Sequence, residues 1–212
     1  RKEGGPDELS FYIDPIDGTS NFASGFPFFC VSIGAYLKGE PVGACIYDPI
    51  RKEAFAVLNG KLTLNDEPCQ AICRGTEDCD VELLTNAPHE EKIPSAVGLS
   101  EFCAQLARFR AVRRLGSCAL HLAYVAVGRA AICHELKFQC WDIAAGLQLV
   151  AASGGQIKAW NEEGCEISSP FAQIEQVRRV VVAHADFSLA KAQIPGLGRS
   201  IPLHLMPKEH LS

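Results

Sequence analysis

Short apolar runs separated by turn residues fill the first third of the chain. Runs of this length fit β-strands, so this part of the chain is expected to form a sheet. Residues 28–37 and 42–47 are two such runs, and residues 38–41 between them have turn chemistry. We expect a hairpin there, followed by further strands at residues 53–58 and 61–64. This part of the chain is predicted to be a meandering, largely antiparallel sheet.

The second half alternates helical and strand patterns. Its clearest helix covers residues 141–152 and is stopped by the Gly154-Gly155 pair; Gly116 and Ser117 open a second helix that extends to residue 127. A further helix is predicted to begin at Ser100. Strands are predicted at residues 111–114, 130–135, 156–159 and 177–183. The fold class is therefore a layered α/β (α+β) fold, with a sheet-rich part at residues 1–80 and an alternating part at residues 81–212.

An acidic run follows the first apolar segment, residues 9–13. Asp14 and Asp17 stand three residues apart at the predicted strand end, because Pro15 biases Asp14 to an extended conformation. Their carboxylates suit Mg²⁺, and the amides of Gly18 and Thr19 could hold a phosphate. An acidic surface turn explains the same residues, because Asp-Pro and Asp-Gly are common in turns. The run alone leaves both interpretations open.

Two further carboxylates stand out in the second half. Asp142 lies at the start of the clearest helix, where an N-cap role and the helix dipole would explain it without a metal. Glu135 ends an apolar strand, and a carboxylate among buried residues needs a partner. Glu135 is therefore the less easily explained of the two.

Composition excludes several classes of partner. The 212 residues carry a net charge of -5 without a basic cluster, which argues against binding a nucleic acid duplex. No apolar stretch reaches the roughly 20 residues that span a bilayer, so no membrane partner is expected. The first ten residues are polar and lack a signal-peptide core, which favours a cytoplasmic location.

The cysteines and histidines favour structural roles over a second metal centre. There are ten cysteines, and those in apolar segments fit small buried hydrophobes: Cys30, Cys45, Cys118, Cys133 and Cys140. The group Cys69, Cys73 and Cys79 lacks zinc-site spacing. Histidines such as His89, His121 and His184 are interpreted as structural or surface groups.

Two separated motifs resemble a known family. Residues 14–22, DPIDGTSNF, with Pro27 and residues 31–34, are similar to the first signature of the inositol monophosphatase family of Mg²⁺-dependent, often lithium-sensitive phosphatases. Residues 140–146, CWDIAAG, are similar to its second signature. The resemblance implies an αβαβα sandwich whose N-terminal helices this chain lacks, a homodimer, and hydrolysis of a phosphate monoester, with inositol monophosphate as the first expectation.

The resemblance also implies roles for individual residues. Asp14, Asp17, Asp142 and the carbonyl of Ile16 would bind Mg²⁺, and Thr19 would orient or activate the attacking water, so that Asp14, Asp17 and Thr19 form the catalytic set. Substrate contacts are expected from the following residues: Asp17, Gly18, Thr19, Gly116, Ser117, Cys118, Glu135 and Asp142. The small phosphorylated substrate would lie between them.

Departures from the family pattern leave alternatives open. Similar proteins have a metal-binding glutamate upstream of the acidic run, where this chain has only thirteen residues, and Glu3 or Glu8 is either its substitute or a solvated surface group. Gln139 stands where some relatives have histidine. The substrate could instead be fructose bisphosphate, histidinol phosphate or a 3'-phosphorylated nucleotide (a 3'(2'),5'-bisphosphate). A catalytically weak homologue with a binding or assembly role is the alternative from another functional class.

Overall fold

A computed structural model of the chain describes residues 9–69, 73, 75–87, 103–104, 106–190, 192 and 194. Glu3, Glu8, His89 and Ser100 lie outside the described residues. Residues 103–104 and 106–108 are helical, within the region where the third helix is predicted.

The first half forms a six-stranded antiparallel sheet in simple chain order. Two-residue turns at 38–39, 59–60 and 65–66 connect neighbouring strands, and every residue in them has a positive φ. Such turns match the twist of a hairpin, and Gly39 and Gly60 adopt this conformation without steric cost. The strands are β1 (Leu9–Asp17), β2 (Cys30–Leu37), β3 (Glu40–Asp48), β4 (Glu53–Leu58), β5 (Lys61–Leu64) and β6 (Glu67–Pro68). The predicted meandering sheet is confirmed.

The prediction that the first strand ends as the acidic run begins is wrong. Strand β1 continues to Asp17, and its register with β2 shifts between Asp14 and Asp17. The shift is a bulge, which absorbs extra residues in one strand and re-aims the side chains there. Both aspartates therefore lie on a bent strand end.

The second half forms a mixed six-stranded sheet in the order β11-β10-β12-β9-β7-β8. Strand β7 runs parallel to both β8 and β9, and the other pairs are antiparallel. The strands are β7 (Glu82–Thr85), β8 (Ala111–Arg113), β9 (Ile132–Leu136), β10 (Gln156–Trp160), β11 (Glu166–Ile167) and β12 (Arg179–Ala183). All four strands predicted from this half are present, whereas β7 and β11 have no predicted counterpart.

Two helices from the second half lie between the sheets. These are α2 (Cys118–Ala126) and α3 (Cys140–Ala152), at the positions predicted from Gly116-Ser117 and from the Gly154-Gly155 pair, and a short helix α1 (Thr19–Ser24) follows β1. Helix α3 contacts β1 to β4 of the first sheet and β10 of the second, while α2 packs on α3 and reaches β9 and β12. Residues 143–150 of α3 are all buried, as a helix covered on every side requires. The layered α+β fold is confirmed, and the division at residue 80 stays a prediction.

The outer face of the first sheet is apolar where β1 forms its edge. Leu9, Phe11 and Ile13 alternate along β1 and are 47%, 56% and 53% exposed. Within the described residues no helix combines the length and apolar character needed to cross a membrane.

Glycines allow the helix layer to approach its neighbours closely. A Cβ added to Gly34 of β2 would lie 3.0 Å from the backbone of Ala144 and Ala145 in α3. A Cβ added to Gly146 of α3 would lie 2.5 Å from the side chain of Leu122 in α2. These contacts fix the depth at which α3 sits on the first sheet.

We predict that Gly34→Ala destabilises the chain by about 1 to 3 kcal/mol, because its new methyl group meets helix backbone that cannot rotate away. Urea unfolding followed by circular dichroism measures this loss. Gly43→Ala is the matched control in the neighbouring strand, since its Cβ would lie at an ordinary 3.4 Å from the nearest atom. Equal stability of the two variants would show that the close packing of α3 is not a constraint.

Candidate metal and phosphate site

Three aspartates meet where β1 ends and α3 begins. Ligand oxygens of Asp14, Asp17 and Asp142 all lie within 4.8 Å of one another. Asp14 and Asp17 come from the bulged end of β1, and Asp142 comes from the first turn of α3. The structure thus brings together the three carboxylates that the sequence predicts as metal ligands.

Local hydrogen bonds shape the acidic run. The backbone amide of Ile16 donates to Oδ1 of Asp14 at 3.0 Å, and Oγ1 of Thr19 donates to the carbonyl of Ile16 at 2.9 Å. An aspartate that accepts from the amide two residues ahead forms a local turn. The run is therefore held by its own side chains, with Thr19 directly beside the carbonyl predicted to bind metal.

Gly18 turns the chain from β1 into α1. Its φ is 89°, which a residue with a side chain adopts only at a cost. A Cβ there would also lie 3.0 Å from the carbonyl oxygen of Phe28 and 3.1 Å from that of Gly116. Both the conformation and the available space require glycine.

Asp17 is buried, and its carboxylate accepts hydrogen bonds from the start of α2. Its Oδ2 accepts hydrogen bonds from Oγ of Ser117 and, at 2.8 Å, from the backbone amide of Ala119. Burial raises the pKa of Asp17 to about 6, and the charge of Asp14 adds to the rise, although the bonds from Ser117 and Ala119 oppose it. The amide belongs to the first turn of α2, where the helix dipole favours a negative charge.

Asp142 has a similar environment. Burial raises its pKa to about 7, with Asp17 and Asp14 contributing, while a bond from the backbone amide of Gln139 at 2.8 Å opposes the rise. The N-cap role predicted for Asp142 is wrong: Gln139 is the N-cap, and Asp142 is the third helical residue. It still bonds the backbone at the helix start, so it serves the helix and the cluster together.

The donor set of this cluster fits a hard cation such as Mg²⁺. Three carboxylates, each an oxygen donor, crowd into a partly buried space, and two of them hold protons more tightly than free aspartate does. A bound cation removes this mutual repulsion, and Mg²⁺ prefers carboxylate oxygens. The ligand roles of these residues and of the Ile16 carbonyl stay predictions.

The predicted substrate loop lies beside the cluster, with one residue turned inward. Gly116 has a φ of 82° and its carbonyl oxygen approaches Gly18. Ser117 is fully buried, and its hydroxyl bonds Asp17 and caps α2 by accepting from Leu120. Cys118 is partly exposed. Ser117 positions a carboxylate in this structure, and its predicted substrate contact stays untested.

Asn21 links the acidic run to this loop, a role that the sequence did not suggest. Its Nδ2 donates to the carbonyl of Phe28 at 2.6 Å and to that of Leu115 at 2.7 Å. Leu115 is 94 residues away in sequence, so no local pattern could reveal the contact. Its place inside the DPIDGTSNF motif was the one sequence signal at this residue, and it gave no indication of the partner.

Glu135 lies apart from the three aspartates. It is fully buried, and its Oε1 bonds Nδ1 of His121 at 2.7 Å. His121 is thus the partner that a buried carboxylate requires, and its structural interpretation is consistent with this pairing. The predicted contact between Glu135 and substrate stays a prediction.

Comparison with known proteins gives a consistent result. A model of the inositol monophosphatase family matches residues 1–195. The chain is 38% identical over 153 residues to a Nus factor SuhB of Xylella fastidiosa, covering 72% of this chain and 56% of that protein. It is 38% identical over 152 residues to inositol monophosphatase 3 of Solanum lycopersicum, covering 70% and 56%.

A solved structure shows the same architecture. The inositol monophosphatase from Anabaena (Nostoc) sp. superposes with a TM-score of 0.74 at 31% identity, covering 94% of this chain and 76% of that one. The chain spans 56% of the length of the two curated relatives named above. With the family match, the shared fold and the three clustered aspartates, the chain belongs to the inositol monophosphatase family.

Proposed function

We propose that this chain hydrolyses a phosphate monoester with the help of Mg²⁺. The observation that supports this most strongly is the cluster of Asp14, Asp17 and Asp142 beside the consecutive amides of Gly18 and Thr19. A cation site next to a possible anion site is what a phosphate ester and its metal require together.

The metal would be held by the three aspartates and the carbonyl of Ile16. When bound, Mg²⁺ neutralises phosphate oxygens and lowers the pKa of water. Asp17 is kept in place by Ser117 and Ala119, so its carboxylate does not need to reorganise when a ligand arrives. This arrangement makes Asp17 the most rigidly positioned member of the set.

Thr19 is the group placed to orient the attacking water. It is exposed, and its hydroxyl proton is committed to the Ile16 carbonyl, so the oxygen lone pairs remain available to accept a hydrogen bond from water and orient it. Gly18, in its left-handed conformation, and Thr19 present successive amides that can hold phosphate oxygens. The chemistry then needs no covalent phosphoenzyme.

The alcohol part of the substrate is proposed to be inositol. Relatives named inositol monophosphatase, at 38% and 35% identity, support this choice. The relatives named Nus factor SuhB carry no substrate in their names. We assign the contact with the alcohol to the loop at Gly116 to Cys118, whereas the contact that the resemblance implies for Glu135 stays a prediction because that side chain is fully buried against His121. A homodimer, a cytoplasmic location and lithium sensitivity follow from the resemblance and stay predictions.

The activity test is phosphate release from inositol monophosphate, fructose bisphosphate, histidinol phosphate and a 3'-phosphorylated nucleotide, with Mg²⁺ or with EDTA. We expect turnover only with Mg²⁺ and fastest on inositol monophosphate. Asp17→Asn should reduce turnover by more than about 100-fold. Loss of a residue that only supports a metal ligand costs up to about 100-fold, and Asp17 is proposed to be a ligand itself. Circular dichroism checks that the variant is folded.

Asp66→Asn is the matched control, since Asp66 is an exposed turn residue of the first sheet. It should keep the parent rate. Equal rates for Asp17→Asn and Asp66→Asn, or turnover in EDTA, would contradict the proposed mechanism. Folded chain that binds Mg²⁺ but hydrolyses none of the four esters would support the weak homologue instead.

The stability of the metal-free chain should fall as pH rises. Asp17 and Asp142 have folded pKa values of about 6 and about 7, against 3.8 for free aspartate. Between these values the folded chain binds more protons than the unfolded chain, so the stability contributed by their protonated forms is present below pH 3.8 and lost through pH 6 to 7.

Mg²⁺ competes with these protons and should reverse the trend. We predict a small rise in melting temperature on adding Mg²⁺ at about pH 5 and a much larger one at about pH 8, since the ligand stabilises only the form that it binds. Differential scanning fluorimetry measures both shifts. The same Mg²⁺-induced shift at both pH values would mean that the aspartates do not bind the ion.

A further inference from the structure

A second group of metal-binding side chains lies in the core beside α2. Glu135 Oε1 is 2.7 Å from Nδ1 of His121 and 3.1 Å from Sγ of Cys133. All three residues are fully buried, and one ligand atom from each lies within 4.8 Å of the others. Imidazole, thiol and carboxylate thus converge on one point inside the protein.

Hydrogen bonds within the described part of the chain leave this group incompletely satisfied. Oε2 of Glu135 and Nε2 of His121 are buried without a hydrogen-bond partner there. Buried polar atoms are normally hydrogen-bonded, and leaving one without a partner is unfavourable. Glu135 makes both of its contacts in this group through Oε1, so Oε2 is left without a partner in the described part of the chain.

The chemistry of the donors selects the ligand that would complete the group. Nitrogen from histidine, sulfur from cysteine and oxygen from glutamate are the donors that Zn²⁺ takes, whereas Mg²⁺ prefers oxygen alone. With one thiolate, one carboxylate and a neutral imidazole, Zn²⁺ forms an assembly without net charge. Neutrality matters here because an uncompensated charge in a buried site is costly.

The backbone holds the three residues independently of any ligand. Cys133 and Glu135 are two apart on β9, so both point to the face covered by α2. His121 lies on the facing side of α2, and its amide donates to the carbonyl of Ser117 at 3.1 Å. Cys118, three residues earlier on that side, is partly exposed.

We propose that His121, Cys133 and Glu135 form a Zn²⁺ site that is separate from the aspartate cluster. The two sites share no ligand, and one turn of α2 connects them, from Ser117 at the aspartates to His121 at the second group. Burial and the charge of Glu135 raise the pKa of the Cys133 thiol.

Cobalt absorption tests the site directly, because Co²⁺ bound to a thiolate gives a charge-transfer band that carboxylate and imidazole ligands do not produce. The chain is kept reduced, saturated with Mg²⁺ and titrated with Co²⁺ and then Zn²⁺. We expect a thiolate band at about one Co²⁺ per chain that Zn²⁺ removes. Cys133→Ser should abolish the band and weaken Zn²⁺ binding at least about tenfold.

Two controls separate this site from other thiols and from the aspartates. Cys165→Ser removes an exposed cysteine and should leave the band unchanged. Asp142→Asn removes an aspartate of the proposed magnesium site and should also leave it unchanged, so failure of the phosphatase proposal and failure of this one are distinguishable. If Cys133→Ser does not fold, Glu135→Gln replaces it and should weaken Zn²⁺ binding by a similar factor.

The absence of a thiolate band in the unsubstituted chain would overturn the proposal, and that spectrum does not depend on any variant. A band that persists in folded Cys133→Ser, or that Cys165→Ser removes equally well, would overturn it too, since the bound cobalt would then lie on another cysteine.

Discussion

The burial of Asp17 beside two other carboxylates is the constraint on which the site depends. Desolvation and the charge of Asp14 both oppose ionisation of Asp17, while Ser117 and the first-turn amide of Ala119 favour it. These donors offset only part of the cost, since the pKa stays near 6. The fold therefore holds an acidic cluster whose mutual repulsion a bound cation would relieve.

The helix layer makes that arrangement possible. Helices α2 and α3 come from the second half of the chain, yet their first turns reach the end of β1 in the first half. Gly34 and Gly146 allow the backbone contacts that set α3 at this depth, and Gly18 leaves room for the loop at Gly116. A side chain at any of these glycines would displace one part of the site from the others. The close packing at these glycines therefore also sets the geometry of the site.

Much of the fold could be predicted from the sequence because its signals are local. The two-residue turn at Asn59 and Gly60 defines a hairpin by its own chemistry, and Gly154 stops α3 at the predicted place. The acidic run likewise indicated Asp14 and Asp17 as a pair. Where β1 ends could not be predicted, because the bulge depends on pairing with β2 and Pro15 alone suggested an earlier end.

The contacts that were missed are all long-range. Ser117 turns inward because Asp17 needs a donor, and these two residues are 100 positions apart. Asn21 reaches Leu115, and His121 meets Glu135 only after α2 folds onto β9. In the sequence, His121 and Cys133 fit ordinary core residues equally well. Their convergence is a property of the tertiary structure, so only the folded chain indicates a second metal site.

The most direct measurement of the central claim is anomalous diffraction from a crystal of the chain soaked with Mn²⁺, which takes the same oxygen ligands as Mg²⁺. We predict a strong anomalous peak among Asp14, Asp17 and Asp142, in contact with a carboxylate oxygen of each. A well-diffracting crystal with ordered aspartates and Mn²⁺ bound elsewhere, or not bound, would contradict the claim that this cluster is a cation site.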